Sequence, residues 1–245
     1  MASNSEVGHA KNASNFFDLI TVATGYGPLY NPTKTIIKLP NLIAIHAAAE
    51  TDLATVITDN TAFNNRTNEN AAEFSDVRPL STRLINALEA TDATPAKVKD
   101  AKAFNRKLQG KKAAKPIEPV DPNTPAPTTI SASQLSYDQQ IQHLTGLNSV
   151  LLSEPTYVPN ETPLKTVTVT TKIATLTTKN KAVATAFTKI SNSRIKRDKT
   201  LYLEENGLVD VAYEVKKYTK SVFGTSSPEY KLISGIKFKR PKKKN

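Results

Sequence analysis

The chain has 245 residues, a formal charge of +11, 38% hydrophobic and 7% aromatic residues, enough for one large or two small domains with a thin, Ala/Thr-rich core. It has no cysteine, no tryptophan and only three histidines, His9, His46 and His143, which excludes a disulfide scaffold, a Cys/His zinc site and a cysteine nucleophile. Its eight glycines form neither G-x-G-x-x-G nor G-x-x-x-x-G-K-[ST], so both standard phosphate-cradling loops are excluded.

Residues 1–13 lack a basic segment followed by an apolar one, and no later apolar run approaches the roughly 18 residues of a membrane span. They read as a disordered N-terminus without a signal peptide, and a cytoplasmic location is the default expectation. The first helical segment carries Phe17 and Ile20. Pro28, Tyr30 and Pro32 then form P-x-Y-x-P, and a long helix follows from about Thr35 to Phe74. Its apolar seam runs Leu42, His46, Ala49, Leu53, Val56, Asn60, Phe63 with heptad-like spacing. Pro40 reads as a late start of this helix rather than a kink. A third helix begins after Asp76, which can cap it, with Pro79 tolerated in its first turn. A fourth follows Thr94-Pro95, a cap residue with proline at the first helical position, and ends near Gly110.

Pro116, Pro119, Pro122, Pro125 and Pro127 punctuate a stretch without apolar period, which reads as an extended linker over 111–132. Beyond it the pattern returns. Ser136 with Gln139 opens a helix bearing Ile141, Leu144, Leu147 and Leu151. Pro155, Tyr157 and Pro159 repeat P-x-Y-x-P 127 residues after the first copy. At that same offset a second seam runs Val169, Ile173, Leu176, Asn180, Val183, Phe187, Ile190 on a helix from about Pro163 to Leu203. The run TVTVTT at Thr166–Thr171 alternates like a strand, but the seam continues through it in register and predicts helix. Asn206-Gly207 breaks the chain where Asp76 does, Ser227-Pro228 answers Thr94-Pro95, and Phe238 and Arg240 answer Phe104 and Arg106.

These features predict an all-α protein: a tandem duplication making two helical bundles, residues 14–110 and 133–236, of about four helices each, one of them long. The 111–132 linker joins them, and a basic tail occupies 237–245. The stretch LYLEENGLVDVAYEVKKYTKSVFGTSSPEYKLISGIKF from Leu201 to Phe238, with YVPNET at Tyr157–Thr162 and NSRIKR at Asn192–Arg197, resembles a group of uncharacterised helical proteins of Bacteroidota. The resemblance covers most of the second bundle. It implies a bacterial, cytoplasmic helical protein and carries over no functional residue.

Charge is unevenly spread. Residues 1–110 hold 11 basic and 11 acidic residues, and residues 189–245 hold 15 and 6. The basic clusters are Arg194, Lys196 and Arg197, then Lys216, Lys217 and Lys220, then Lys237, Lys239, Arg240, Lys242, Lys243 and Lys244, interleaved with Tyr202, Tyr213, Tyr218, Tyr230 and Phe238. Basic and aromatic residues together can grip a phosphate backbone and stack bases. The ordinary reading of the same clusters is a solvated helix face. His46 on the seam reads as a buried, hydrogen-bonded histidine, and Asn60 and Asn180 as polar seam residues that fix register. No catalytic residue, metal site or cofactor is expected. The leading expectation is a non-enzymatic scaffold or interaction protein with a protein partner or self-association. The alternative is a nucleic-acid-associated protein using the basic face and tail of the second bundle.

Overall fold

A computed structural model describes residues 8–110 and 135–241. Among the described residues the secondary structure is helical, without strands. The helices are α1 His9–Gly25, α2 Leu39–Phe74, α3 Val77–Glu89, α4 Pro95–Leu108, α5 Tyr137–Leu152, α6 Thr166–Tyr202, α7 Leu208–Phe223 and α8 Pro228–Gly235. Single 3₁₀ turns precede the two long helices, Thr35–Ile37 before α2 and Thr162–Leu164 before α6.

Local chemistry accounts for most boundaries. Thr94 and Ser227 cap α4 and α8 by accepting from the backbone N–H of Lys97 and Tyr230, and Ser136 accepts from Gln139 to cap α5. Pro40 lies in the first turn of α2, where its missing N–H costs nothing. The alternating TVTVTT run is helical. Its threonines satisfy themselves within the helix, the Thr170 and Thr171 hydroxyls donating to the carbonyls of Thr166 and Val167. Asp76 stands at the N-cap of α3 but its side chain makes no capping hydrogen bond; its carboxylate pairs with Lys172 at 2.9 Å. The sequence boundary at residue 13 also moves, since α1 begins at His9.

The compact units are not the sequence halves. One unit joins residues 1–63 to 186–245, and the other is 64–185. Contiguous bundles 14–110 and 133–236 are therefore replaced by two units that each take the beginning of one half and the end of the other. The first unit's core sets Phe16, Leu19, Ala23, Tyr30 and Leu42 against Leu201, Leu208, Val211, Val215, Ile233 and Phe238. The second unit's core sets Phe74, Val77, Leu84, Leu88 and Leu108 against Leu144, Leu147, Leu151, Tyr157 and Val169. Because α2 and α6 run on without a break, each supplies its early turns to one unit and its late turns to the other.

The segment 111–132, expected as a tether between bundles, lies outside the described residues. Its described flanks do not suit a tether. Gly110, at φ +70°, sits so close to Leu135 that a Cβ on it would meet the leucine side chain at 2.9 Å, and α4 and α5 pack within one unit.

The P-x-Y-x-P boxes do the same work in both units. Tyr30 is buried and its hydroxyl donates to the Ile37 carbonyl at 2.7 Å; Tyr157 is buried and donates to Leu164 at 2.9 Å. Each phenol thus closes the 3₁₀ turn that aims the long helix. Of the seam residues, Leu42, Ala49, Val169, Leu176 and Ile190 are buried, whereas Phe187 is 56% exposed, its ring tilted against that of Phe63 with centroids 5.9 Å apart. His46 is half-buried, 3.6 Å from Glu50, with its ring tilted against that of Phe17, centroids 5.4 Å apart. Asn60 accepts from Arg194 and Asn180 donates to Asp138.

Candidate functional site

The buried positions Leu208, Val211, Ala212, Val215 and Thr219 turn one face of α7 into the core, which leaves Tyr213, Lys217 and Lys220 facing outward. The chain entering the Thr35–Ile37 turn brings Lys34 and Ile36 alongside. Together with Lys216 and Tyr230 these residues line a cleft of about 890 Å³, with Glu205, Asp210 and Glu214 on its walls.

Most charges in the cleft are already satisfied. Glu214 accepts from Lys217 at 2.9 Å and from Lys34 at 3.0 Å, and these two lysines hold its carboxyl below its ordinary value. Arg240 does the same for Asp210. The Lys216 amine donates to the Ser234 and Ile236 carbonyls at the end of α8 and lies 5.3 Å from the centre of the Phe238 ring. Burial, with Lys237 nearby, pushes it down to about 8, while the two carbonyls and the ring face hold the charged form in place. Lys216 is therefore a clamp on the C-terminal segment. The Lys220 side chain has no hydrogen-bond or ion-pair partner among the described residues.

The remaining basic residues named from sequence have other surroundings. Lys196 pairs with Asp52 of α2 at 2.8 Å, Arg197 with its neighbour Asp198 at 2.7 Å, and Arg194 donates to Asn60 at 3.1 Å. The segment expected as a basic tail is held against the fold through Arg240. Phe238 is buried edge-on to Phe16. Asn12 donates to the Lys239 carbonyl and accepts from its N–H, Asn15 donates to the Lys237 carbonyl, and Arg240 donates to the Tyr202 carbonyl. Lys242, Lys243 and Lys244 lie outside the described residues.

The fold thus gathers Lys216, Lys217 and Lys220 at one cleft, whose lining does not include Arg194, Lys196 or Arg197. It adds Lys34, which the charge count hid because the first 110 residues balance to zero. It also places two buried acids, Asp52 and Asp59, each 3% exposed, against Lys196 and Lys189. Their seven-residue separation was the available signal, one heptad apart beside the seam.

In the other unit, Lys172 bridges Glu73 and Asp76 at 2.9 Å each, beside a cleft of about 190 Å³ lined by Pro79, Leu80, Pro163 and Val169. His143 is buried with Nε2 unpartnered, and burial with the nearby Lys107 lowers its pKa. Among the described residues no three His, Cys, Asp or Glu side chains converge on a point that could hold a metal ion, and no helix is long and apolar enough to cross a membrane. No family model, curated protein or solved structure matches the chain.

Proposed function

We propose that this chain is a non-enzymatic helical scaffold or protein-interaction protein, built from two versions of one helical unit and working in a bacterial cytoplasm. The observation that carries the reading is the exposed apolar set on the long helices of one unit. Ile43 and Ile57 on α2 and Phe187 and Ile195 on α6 are all more than half exposed, where a solvated face would carry polar residues. The internal pairing of Lys34, Lys189, Lys196, Arg197, Lys217 and Arg240 supports the same reading, because a charge already paired contributes little to an external polyanion. The duplication is supported by the matched Tyr30 and Tyr157 bonds and by the recurring cap-proline pairs at α4 and α8.

The test is capture from the native host with and without nuclease. Protein captured regardless of nuclease, and lost with Ile57→Glu and Ile195→Glu, supports the scaffold. Capture abolished by nuclease supports the alternative.

One observation favours that alternative, contact with a phosphate backbone: Lys220 is unpaired among the described residues in a lysine-lined cleft. The contact would centre on Lys220, since Lys34 and Lys217 are paired with Glu214. With one free cation in the cleft, its log-log salt slope should be about −1 on duplex DNA. Anisotropy titrations of the wild type and of Lys220→Glu at two salt concentrations read it, and indifference to Lys220→Glu removes the cleft from consideration.

A further inference from the structure

We propose that the two sequence halves, residues 1–110 and 134–245, recognise each other as unlike partners through a charge code on α2 and α6, and that the same interface accepts the complementary half of a second copy. The proposal makes the self-association within the scaffold reading specific, while the pairing of the halves stands on its own contacts.

Neither half holds a complete core. Phe16, Leu19 and Leu42 lie in the first half, but the residues that cover them, Leu208, Val211, Val215 and Phe238, lie in the second. The reverse holds for Leu144, Leu147 and Leu151, covered by Leu84, Leu88 and Leu108. Each half alone therefore exposes two broken apolar faces that only a partner can close.

The charges say which partner. Helix α2 carries Glu50, Asp52, Asp59, Glu69 and Glu73 against a single base, Arg66, whereas α6 carries Lys172, Lys179, Lys181, Lys189, Arg194, Lys196, Arg197 and Lys199 against a single acid, Asp198. Within one unit Asp52 meets Lys196 and Asp59 meets Lys189. Within the other, Glu69 meets Lys179 and Glu73 meets Lys172. In all four pairs the acid comes from the first half and the lysine from the second. Numbers rise along α2 as they fall along α6, so the code belongs to an antiparallel pair. Two first halves would oppose carboxylate to carboxylate, and two second halves lysine to lysine, which disfavours like pairing. Much of the second half's cationic excess on α6 therefore has a structural use, selection of the first half as its partner.

The covalent path between the halves is not needed to hold them, since its flanks Gly110 and Leu135 already touch. The experiment places a protease site within residues 111–133 of the full chain and cuts the folded protein. The fragments are expected to stay together on gel filtration, to show one unfolding transition, and to exchange with isotope-labelled fragments of a second preparation, giving unlike pairs only. Glu69→Lys with Glu73→Lys should weaken association of the cut chain about tenfold or more, and adding Lys172→Glu with Lys179→Glu should restore it. Fragments that separate, each with its own cooperative transition, overturn the proposal. Like pairs forming as readily as unlike pairs, or association indifferent to the charge reversal, overturn the code.

Discussion

Asp52 of α2 and Lys196 of α6 stand 144 residues apart in the chain and meet at 2.8 Å, with the carboxylate 3% exposed. Burial alone would raise the Asp52 pKa, but the hydrogen bonds from Lys196 and Thr200 outweigh it and leave the group below its ordinary value. Losing Lys196 leaves a buried carboxylate with one donor fewer. Lys196→Ala is therefore expected to cost about 1 to 3 kcal/mol in chemical denaturation, more than the roughly 0.5 kcal/mol of a surface change such as Lys181→Ala.

Ile190 and Phe187 share the same seam by sequence but not by burial. Ile190→Ala should cost about 2 to 5 kcal/mol and Phe187→Ala below about 1 kcal/mol. Equal shifts in midpoint would mean that the exposure of Phe187 is misplaced.

Phe238→Ala should behave as a core truncation, at about 3 to 5 kcal/mol, because the ring is buried against Phe16. Removing 237–245 should accordingly lower the melting temperature; an unchanged melting temperature would mean that the Phe238 ring adds nothing to the core.

Acid should weaken the fold in two stages. Burial lowers the pKa of His143 from 6.5, so the unfolded chain takes up this proton first and stability falls as pH drops below about 6.5. Asp52, Asp210, Glu69 and Glu214 are held below ordinary values of 3.8 and 4.5. Their contribution is complete above those values and is lost as pH falls through the folded ones. Denaturation midpoints between pH 8 and 3 read both stages. Burial lowers the pKa of His9 as well, so His143→Gln should reduce the first stage, the double change with His9→Gln should remove it, and the second should remain.

The helices were legible because their signals are local. The cap-proline pairs fixed α4 and α8, and the unbroken seam outweighed the β-branched alternation of TVTVTT. The pairing of halves was not legible, because four helices repeated twice in the same order read equally well as two contiguous bundles or as two interleaved ones. Only contacts between distant residues, such as Phe16 with Phe238, distinguish them. The basic site was half legible for the same reason. Lys216, Lys217 and Lys220 stand together in sequence, while Lys34 reaches them only through the fold. The tail was misread because Phe238 was weighed with the lysines around it rather than as a core residue.

Zero-length carbodiimide coupling of the uncut chain, read by mass spectrometry of its peptides at high dilution, tests the interleaved arrangement most directly, since it joins a lysine to a carboxylate only where they already touch. The expected products link the halves: Asp59 to Lys189, Glu69 to Lys179, Glu73 to Lys172 and Lys34 to Glu214, at pairs now 2.9 to 3.0 Å apart. Products confined within each half, such as Glu89 to Lys102 and Glu214 to Lys217 without any of those four, would contradict it.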